Sequence, residues 1–160
     1  MSMKIVRILA PIDFSEGSRK AVEYALELGR RYEAEIDLLY VWTPEAYVIP
    51  EMSGAVASSM AYASDYGAEA AWKNDMETFR ASLDTRGLQV HGRVECGHPA
   101  ETIVKVAQES DYGLIVMGTH GRTGLQHVLI GSVAERVVRL AHCPVLSVPL
   151  AVRPRQEGGR

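Results

Sequence analysis

The sequence has few cysteines and lacks long apolar runs. Its 160 residues include only two cysteines, Cys96 and Cys143, without the CxxC spacing and too few for a disulfide-built secreted domain. No apolar run approaches the roughly 20 residues that span a membrane, and no signal-peptide segment follows Met1. These absences predict a cytoplasmic protein with reduced thiols and no membrane partner.

An excess of basic residues is also missing. Seventeen Lys and Arg residues stand against twenty Asp and Glu residues, which gives a formal net charge of −3. A protein whose main partner is DNA or RNA normally has a basic face. The charge balance therefore predicts no nucleic-acid partner, but it leaves a small anionic ligand open.

Strand-like and helix-like segments alternate along the chain, and the length fits one domain, predicted over residues 1–150. Short β-branched runs predict strands at 4–11, 34–42, 88–96, 113–117 and 144–149. Apolar residues at helical spacing predict helices over 15–32, about 61–86, 99–110 and 132–141. Because the strands are nearly continuous apolar runs, we expect an α/β fold whose parallel five-stranded sheet, in order 3-2-1-4-5, is covered by helices on both faces.

Two segments lack a regular pattern. Residues 43–66 contain two prolines and several small residues, and they predict a variable, mobile connection. Residues 151–160 end in RPRQEGGR and predict a disordered tail.

The loop after the fourth strand contains the residues best suited to bind phosphate. Gly118, Gly121 and Gly131 let the backbone approach a ligand closely, and a helix begins directly after them, with its unpaired N–H groups. Ser132 and Arg122 add a hydroxyl and a guanidinium, and His120 lies in the same loop. The loop is not a P-loop, because no lysine accompanies these glycines, and no dinucleotide motif follows the first strand.

Structural roles compete with these ligand roles. The glycines would serve as turn residues in any loop, and Arg122 would be a solvated cation. The Ser132-x-x-Glu135 spacing would form a capping box, and Asp13 would begin the turn into the first helix. The five histidines and two cysteines show no spacing for a structural zinc site.

The spacing Gly118-x2-Gly121-x9-Gly131-Ser132 after an apolar strand resembles the nucleotide-binding motif of the universal stress protein family. The resemblance extends over nearly the whole chain, from the PIDFS segment at 11–15 to the HCPVLSVP segment at 142–149. It implies the Rossmann-like fold shared with adenine nucleotide alpha hydrolases. It also implies membership of the ATP-binding subgroup, because all three glycines are present.

The resemblance implies roles for individual residues. Asp13 matches the acidic residue beside the ribose and phosphates of ATP, where it would also ligate a bridging Mg²⁺ or Mn²⁺. Val41 matches the position whose backbone binds adenine. Trp42 and the Tyr- and Met-rich stretch up to Trp72 would either cover the adenine or pack a helix, and packing is the favoured interpretation. Residues implied to line the pocket or contact the phosphates are Pro11, Ile12, Met117, Gly118, Gly121, Arg122, Gly131, Ser132 and Val133.

Three functions stay open at this point. The favoured one is an ATP-binding regulatory protein of the stress response, acting as a homodimer through the strand Val145–Val148. The second is a slow ATP hydrolase or nucleotidyl-handling enzyme, for which no base paired with a nucleophile is evident. The third is a dimeric interaction module whose nucleotide site is vestigial.

Overall fold

The computed structural model describes residues 5–43, 55–119 and 130–150, with the backbone alone for 55–66. Strands and helices alternate through these residues, as the sequence predicts. The elements are β1 Arg7–Ile12, α1 Glu16–Tyr32, β2 Glu35–Trp42, α2 Ala55–Ala81, β3 Val90–Cys96, α3 Pro99–Glu109, β4 Leu114–Gly118, α4 Ser132–Leu140 and β5 Val145–Val148.

The strands form one sheet in the order β3-β2-β1-β4-β5, and each neighbouring pair is parallel. β1 is central, and its Ile8 is in register with Ile36 of β2 and Leu114 of β4. α1 and α2 cover one face of the sheet, and α3 and α4 cover the other. The predicted fold class and strand order are confirmed.

Each central strand contributes to two apolar cores. Ile8 and Ala10 of β1 pack towards α1 and α2, whereas Leu9 packs towards α3 and α4. β2 and β4 alternate in the same way. This double burial explains why the strands read as continuous apolar runs instead of alternating patterns.

α1 begins as predicted, with Ser15 as its N-cap. The Ser15 hydroxyl accepts a hydrogen bond from the Ser18 N–H at 3.2 Å, which satisfies one of the donors that every helix start leaves unpaired. Ala21, Val22 and Ala25 then follow at helical spacing and are fully buried. The start of α1 is therefore fixed directly behind the carboxyl end of β1.

The bounds of α2 differ from the prediction. The helix begins at Ala55, not near residue 61, and ends at Ala81, not at Arg86. Its first turns are rich in alanine and contain no proline, so helix propensity outweighs the serines that suggested a loop. Residues 55–60, predicted to be part of the irregular connection, are therefore helical, while 44–54 lie outside the described residues.

The end of α2 also has a local cause. The Ser82 hydroxyl donates to the carbonyl of Phe79 at 2.6 Å, and the backbone N–H of Leu83 reaches back to Arg80 at 3.2 Å. These shorter-range bonds tighten the last turn. Arg86 and Gly87 then adopt positive φ values of 46° and 84°, which turn the chain into β3.

Gly92 on β3 allows α2 to pack closely against the sheet. A Cβ atom at this position would lie 2.6 Å from Cγ of Met76, which is buried on α2. Trp72, one turn earlier on α2, packs against the same core, and Trp42 is part of it. The packing interpretation of Trp72 is thus confirmed.

A buried polar cluster lies on the α3–α4 face, at the amino ends of β1 and β2. The Tyr112 hydroxyl donates to Oδ2 of Asp37 at 2.8 Å, and the Arg7 guanidinium donates to the same oxygen at 2.8 Å. The Arg7 guanidinium also lies 4.4 Å from the centre of the Tyr112 ring. Burial and the hydrogen bond to Asp37 raise the pKa of Tyr112 above its ordinary value. The cluster joins β1, β2 and the start of β4 at this end of the sheet.

Helices that would cross a membrane are not found among the described residues, because none is both long and apolar enough. The tail predicted to be disordered, residues 151–160, lies outside the described part of the chain.

Candidate functional site

A cavity of about 300 Å³ opens at the carboxyl ends of β1, β2 and β4, on the face covered by α3 and α4. Parallel α/β sheets bind ligands at this edge, beside the point where the strand order reverses. Here the chain adds β2 and β3 on one side of β1 and then β4 and β5 on the other. The volume is that of a small ligand pocket. The cavity therefore lies at the strand ends that carry the predicted site residues.

One side of the cavity is apolar. Leu39 and Val41 come from β2, Ile103 from α3 and Met117 from β4. These side chains belong to the core beneath α3 and α4, or pack against it. A flat apolar group such as a base would bury its faces against this surface.

The start of α4 forms another part of the cavity lining. Ser132, Val133 and Ala134 line the cavity, and their N–H groups precede the first hydrogen bond of the helix, from Glu135 N–H to Gly131 O at 2.9 Å. Such N–H groups have no acceptor within the helix. They form an electropositive end suited to an anion.

The capping box predicted as an alternative for Ser132 is wrong. The N-cap of α4 is Gly131, with φ −69° and ψ 155°, and no side chain caps the helix. Ser132 is the first helical residue, so its hydroxyl is not in the capping position. The Glu135 carboxylate instead binds Arg139 one turn later. The N–H groups at the start of α4 are therefore not satisfied by a capping box.

Asp13 forms the turn between β1 and α1 and also lines the cavity. Its Oδ1 accepts hydrogen bonds from the Ser15 backbone N–H at 3.0 Å and from the Ser15 hydroxyl at 2.5 Å. The backbone N–H of Asp13 donates to the Ser18 hydroxyl at 3.4 Å. The turn role and the site role therefore coexist in this residue, because the turn holds the carboxylate at the cavity wall.

Nine of the twelve predicted site residues line the cavity. They are Pro11, Ile12, Asp13, Val41, Met117, Gly118, Gly131, Ser132 and Val133. The other three, His120, Gly121 and Arg122, lie outside the described residues.

Six further lining residues were not predicted: Ser18, Leu39, Pro99, Ile103, Thr119 and Ala134. Two of them had a usable signal in the sequence. Leu39 lies two residues before Val41 and so on the same face of β2, and Pro99 follows the carboxyl end of β3. Ile103 and Ala134 reach the cavity through the packing of α3 and α4, for which the sequence gives no sign.

The chemistry of the lining limits how a metal would be held. No group of three or more His, Cys, Asp and Glu side chains suited to a metal occurs within the described ranges. Asp13 is the carboxylate that lines the described part of the cavity. Mg²⁺ commonly binds through one carboxylate together with substrate phosphates and water, so the lining fits a metal carried by a nucleotide better than a resident ion.

Known proteins share both the sequence pattern and the fold. Residues 4–149 match the model of the universal stress protein family. Universal stress protein MJ0531 of Methanocaldococcus jannaschii is 34% identical over 151 residues, which cover 94% of this chain and 84% of that protein. Universal stress protein MJ0577 of the same organism is 31% identical over 158 residues, which cover 92% of this chain and 97% of that protein.

Solved structures agree with this relationship. The structure of MJ0577 is similar to this chain with a TM-score of 0.80 and 29% identity, covering 94% of this chain and 99% of that chain. A universal stress protein solved in complex with cAMP shares the fold, with a TM-score of 0.60, 21% identity and coverage of 92% and 99%. Because nearly the whole chain matches the family model and aligns with these relatives, this chain belongs to the universal stress protein family.

Proposed function

We propose that this protein binds an adenine nucleotide, with ATP as its preferred ligand, in the cavity at the carboxyl ends of β1, β2 and β4. The observation that carries the proposal is the pairing of two surfaces in one cavity. An apolar wall that includes Val41 and Ile103 and the N–H groups at the start of α4, which have no acceptor within the helix, line the same cavity. A nucleotide has the matching parts, a flat base and a chain of phosphates.

The volume of about 300 Å³ suits a base and ribose better than a complete ATP. The phosphates would therefore extend along the start of α4, and His120, Gly121 and Arg122, which lie outside the described residues, are proposed as their further contacts. A Mg²⁺ or Mn²⁺ ion would accompany the phosphates, with Asp13 as its carboxylate ligand. The complex of a family member with cAMP supports an adenine nucleotide as the ligand class.

The proposed role is regulatory binding, not catalysis. Occupancy of the site would change the shape or the partners of the protein in the stress response. A cytoplasmic location fits the two cysteines, which are thiols in this structure. Slow hydrolysis of ATP and a purely structural dimer with a vestigial site are the competing functions, and both are outcomes of the experiment below.

The experiment is a titration of the protein with ATP and Mg²⁺. Binding is measured by calorimetry and by the shift in thermal unfolding temperature. Binding to the native state alone raises the free energy of unfolding by about 2.7 kcal/mol at a hundred times Kd. No change at millimolar ATP would contradict the proposal and favour the vestigial site. Release of phosphate in proportion to protein, lost in Gly118→Ala, would favour the hydrolase.

Ser132→Asp places a carboxylate at the start of α4, beside the N–H groups that would bind the phosphates. We expect the ligand-free variant to unfold at an unchanged or slightly higher temperature, because an acidic residue in the first turn of a helix is favourable. Its affinity for ATP should fall at least about tenfold, equal to about 1.4 kcal/mol. Asn74→Asp, which adds the same charge at an exposed position of α2, is the matched control and should bind normally.

We also propose that two copies associate through β5. This edge strand pairs with β4 alone among the described strands, and the sequence VLSV contains no charge. Leu146 of β5 is exposed, as is Leu140 at the end of α4. The other edge, β3, has the ion pair of Arg93 and Glu95, a common protection against strand pairing. Leu146→Lys should give a monomer in analytical ultracentrifugation, and a dimer that survives this change would contradict the proposal.

A further inference from the structure

The turn after β1 connects the two faces of the sheet within two residues. Asp13 lines the cavity on the α3–α4 face, whereas the ring of Phe14 packs against the core on the α1–α2 face. Phe14 has a φ of 63°, in the left-handed region that residues with a side chain rarely adopt. A steric cost of this kind persists only where surrounding contacts hold the backbone.

Those contacts are aromatic, and most come from α2. The centre of the Phe14 ring lies 5.8 Å from that of Phe79 and 6.4 Å from that of Trp72, both on α2. It also lies 4.8 Å from the ring of Tyr40 on β2. These are the separations at which ring pairs attract one another. The left-handed turn is therefore held from the side of the sheet opposite the cavity, in addition to the hydrogen bonds of Asp13 with Ser15 and Ser18.

We propose that Phe14 and Trp72 are positioning residues for the ligand site, which couple α2 to the carboxylate of Asp13. Neither aromatic residue lines the described cavity. Trp72 packs on Phe14, and the turn at Phe14 presents Asp13, whose Oδ1 holds the Ser15 N–H. A displacement of α2 would thus alter the cavity wall, and a ligand bound at Asp13 would alter the packing of α2.

Tyr40 provides a second connection between α2 and the site. Its ring lies 4.9 Å from that of Trp72, centre to centre. Its two neighbours on β2, Leu39 and Val41, point to the other face and line the cavity. The same indole ring therefore packs against the end of β2 and against the turn that follows β1, two of the segments that border the ligand site.

Amide hydrogen exchange of the ligand-free protein tests the positioning role without any nucleotide. Trp72→Ala should speed exchange of the Ser15 amide by about three- to tenfold, because removal of a ring pair loosens the turn. Leu83→Ala is the matched control, since Leu83 packs against the same core just beyond α2. Trp72→Phe keeps a ring and should restore protection. Equal exchange in the Trp72→Ala and Leu83→Ala variants would overturn the proposal.

The second measurement is nucleotide affinity, and this test rests on the proposed function. Trp72→Ala should raise the Kd for ATP by about three- to tenfold, a change that Leu83→Ala should not produce at an equal loss of thermal stability. A Trp72→Ala variant that binds ATP as the wild type does would overturn the coupling. A wild type that does not bind ATP would overturn the proposed function instead, while the amide exchange still decides whether the rings hold the turn.

Discussion

The backbone N–H of Gly131 donates a hydrogen bond to the carbonyl oxygen of Thr119 at 2.6 Å. The N–H of Thr119 in turn donates to Val148 O of β5 at 3.0 Å. The chain therefore leaves the end of β4 and returns to the same place before α4 begins. As a result, the sheet fixes the start of α4, and the N–H of Gly131 serves this closure instead of a ligand.

This closure predicts that the segment 120–129 can be shortened without loss of the fold. Replacement of residues 120–129 by a short Gly-Ser linker should leave the unfolding temperature nearly unchanged, because a shorter loop costs less closure entropy. Affinity for AMP should persist, since the apolar wall and the start of α4 remain. Affinity for ATP should fall about ten- to hundredfold with the loss of a charged donor such as Arg122.

Calorimetric titrations of the wild type and of the linker variant with AMP and with ATP measure the two changes in affinity. Equal losses for the two nucleotides would mean that the loop holds the base or the ribose and not the outer phosphates. A linker variant that fails to fold would show that the loop is part of the core.

Asp13→Asn separates the charge of this residue from its role in the turn. An amide oxygen can still accept from the Ser15 N–H, which now lies 3.0 Å from Oδ1, so stability should change little. The amide is a poorer metal ligand than a carboxylate. We expect the stimulation of ATP binding by Mg²⁺ to disappear, while affinity in EDTA is kept or improved because repulsion between carboxylate and phosphate is removed.

Titrations with and without Mg²⁺ measure the effect. Asp13→Ala is the comparison, because it also removes the acceptor of the turn and should cost about 1 kcal/mol of stability. Full Mg²⁺ stimulation in the Asp13→Asn variant would show that phosphates and water hold the metal without this residue.

The raised pKa of Tyr112 predicts that the protein loses stability at alkaline pH. Its pKa is raised in the folded protein by burial and by the hydrogen bond to Asp37, so above about pH 10 the unfolded chain loses this proton first. The unfolded state then binds fewer protons than the folded state, and the free energy of unfolding falls as pH rises. The slope from this one group reaches about 1.4 kcal/mol per pH unit.

Urea unfolding of the wild type and Tyr112→Phe between pH 8 and about pH 11 provides the check. At pH 8 the variant should be less stable by about 1 to 2 kcal/mol, because Asp37 loses a donor. Above pH 10 the two curves should converge, since the variant has no proton to lose at this position. Parallel curves throughout would contradict the assignment.

Local patterns predicted most of the fold. The apolar runs of β1, β2 and β4 are buried on both faces, so their composition identifies them without knowledge of their neighbours. The start of α1 follows from Ser15 and its contact with Ser18. α2 was misjudged because serine and glycine near its start suggested a loop, although the alanine-rich sequence supports a helix.

The candidate site was predictable where a residue lies at a strand end or at the start of a helix. Asp13 and Ser132 are of this kind. Ile103 and Ala134 were missed, because they reach the cavity through the way α3 and α4 pack on the sheet. The capping box was a plausible local motif, but the chain enters α4 with Gly131 as the N-cap, held by its bond to Thr119.

The sequence by itself determined the alternation of strands and helices, the parallel sheet and the strand ends that carry the ligand residues, because these depend on local propensity and apolar periodicity. Only the tertiary structure decided that Phe14 turns left-handed so that Asp13 faces one side of the sheet and the aromatic ring faces the other. That choice depends on contacts with Tyr40 on β2 and Trp72 on α2, residues distant in the chain that come together only when the sheet is assembled.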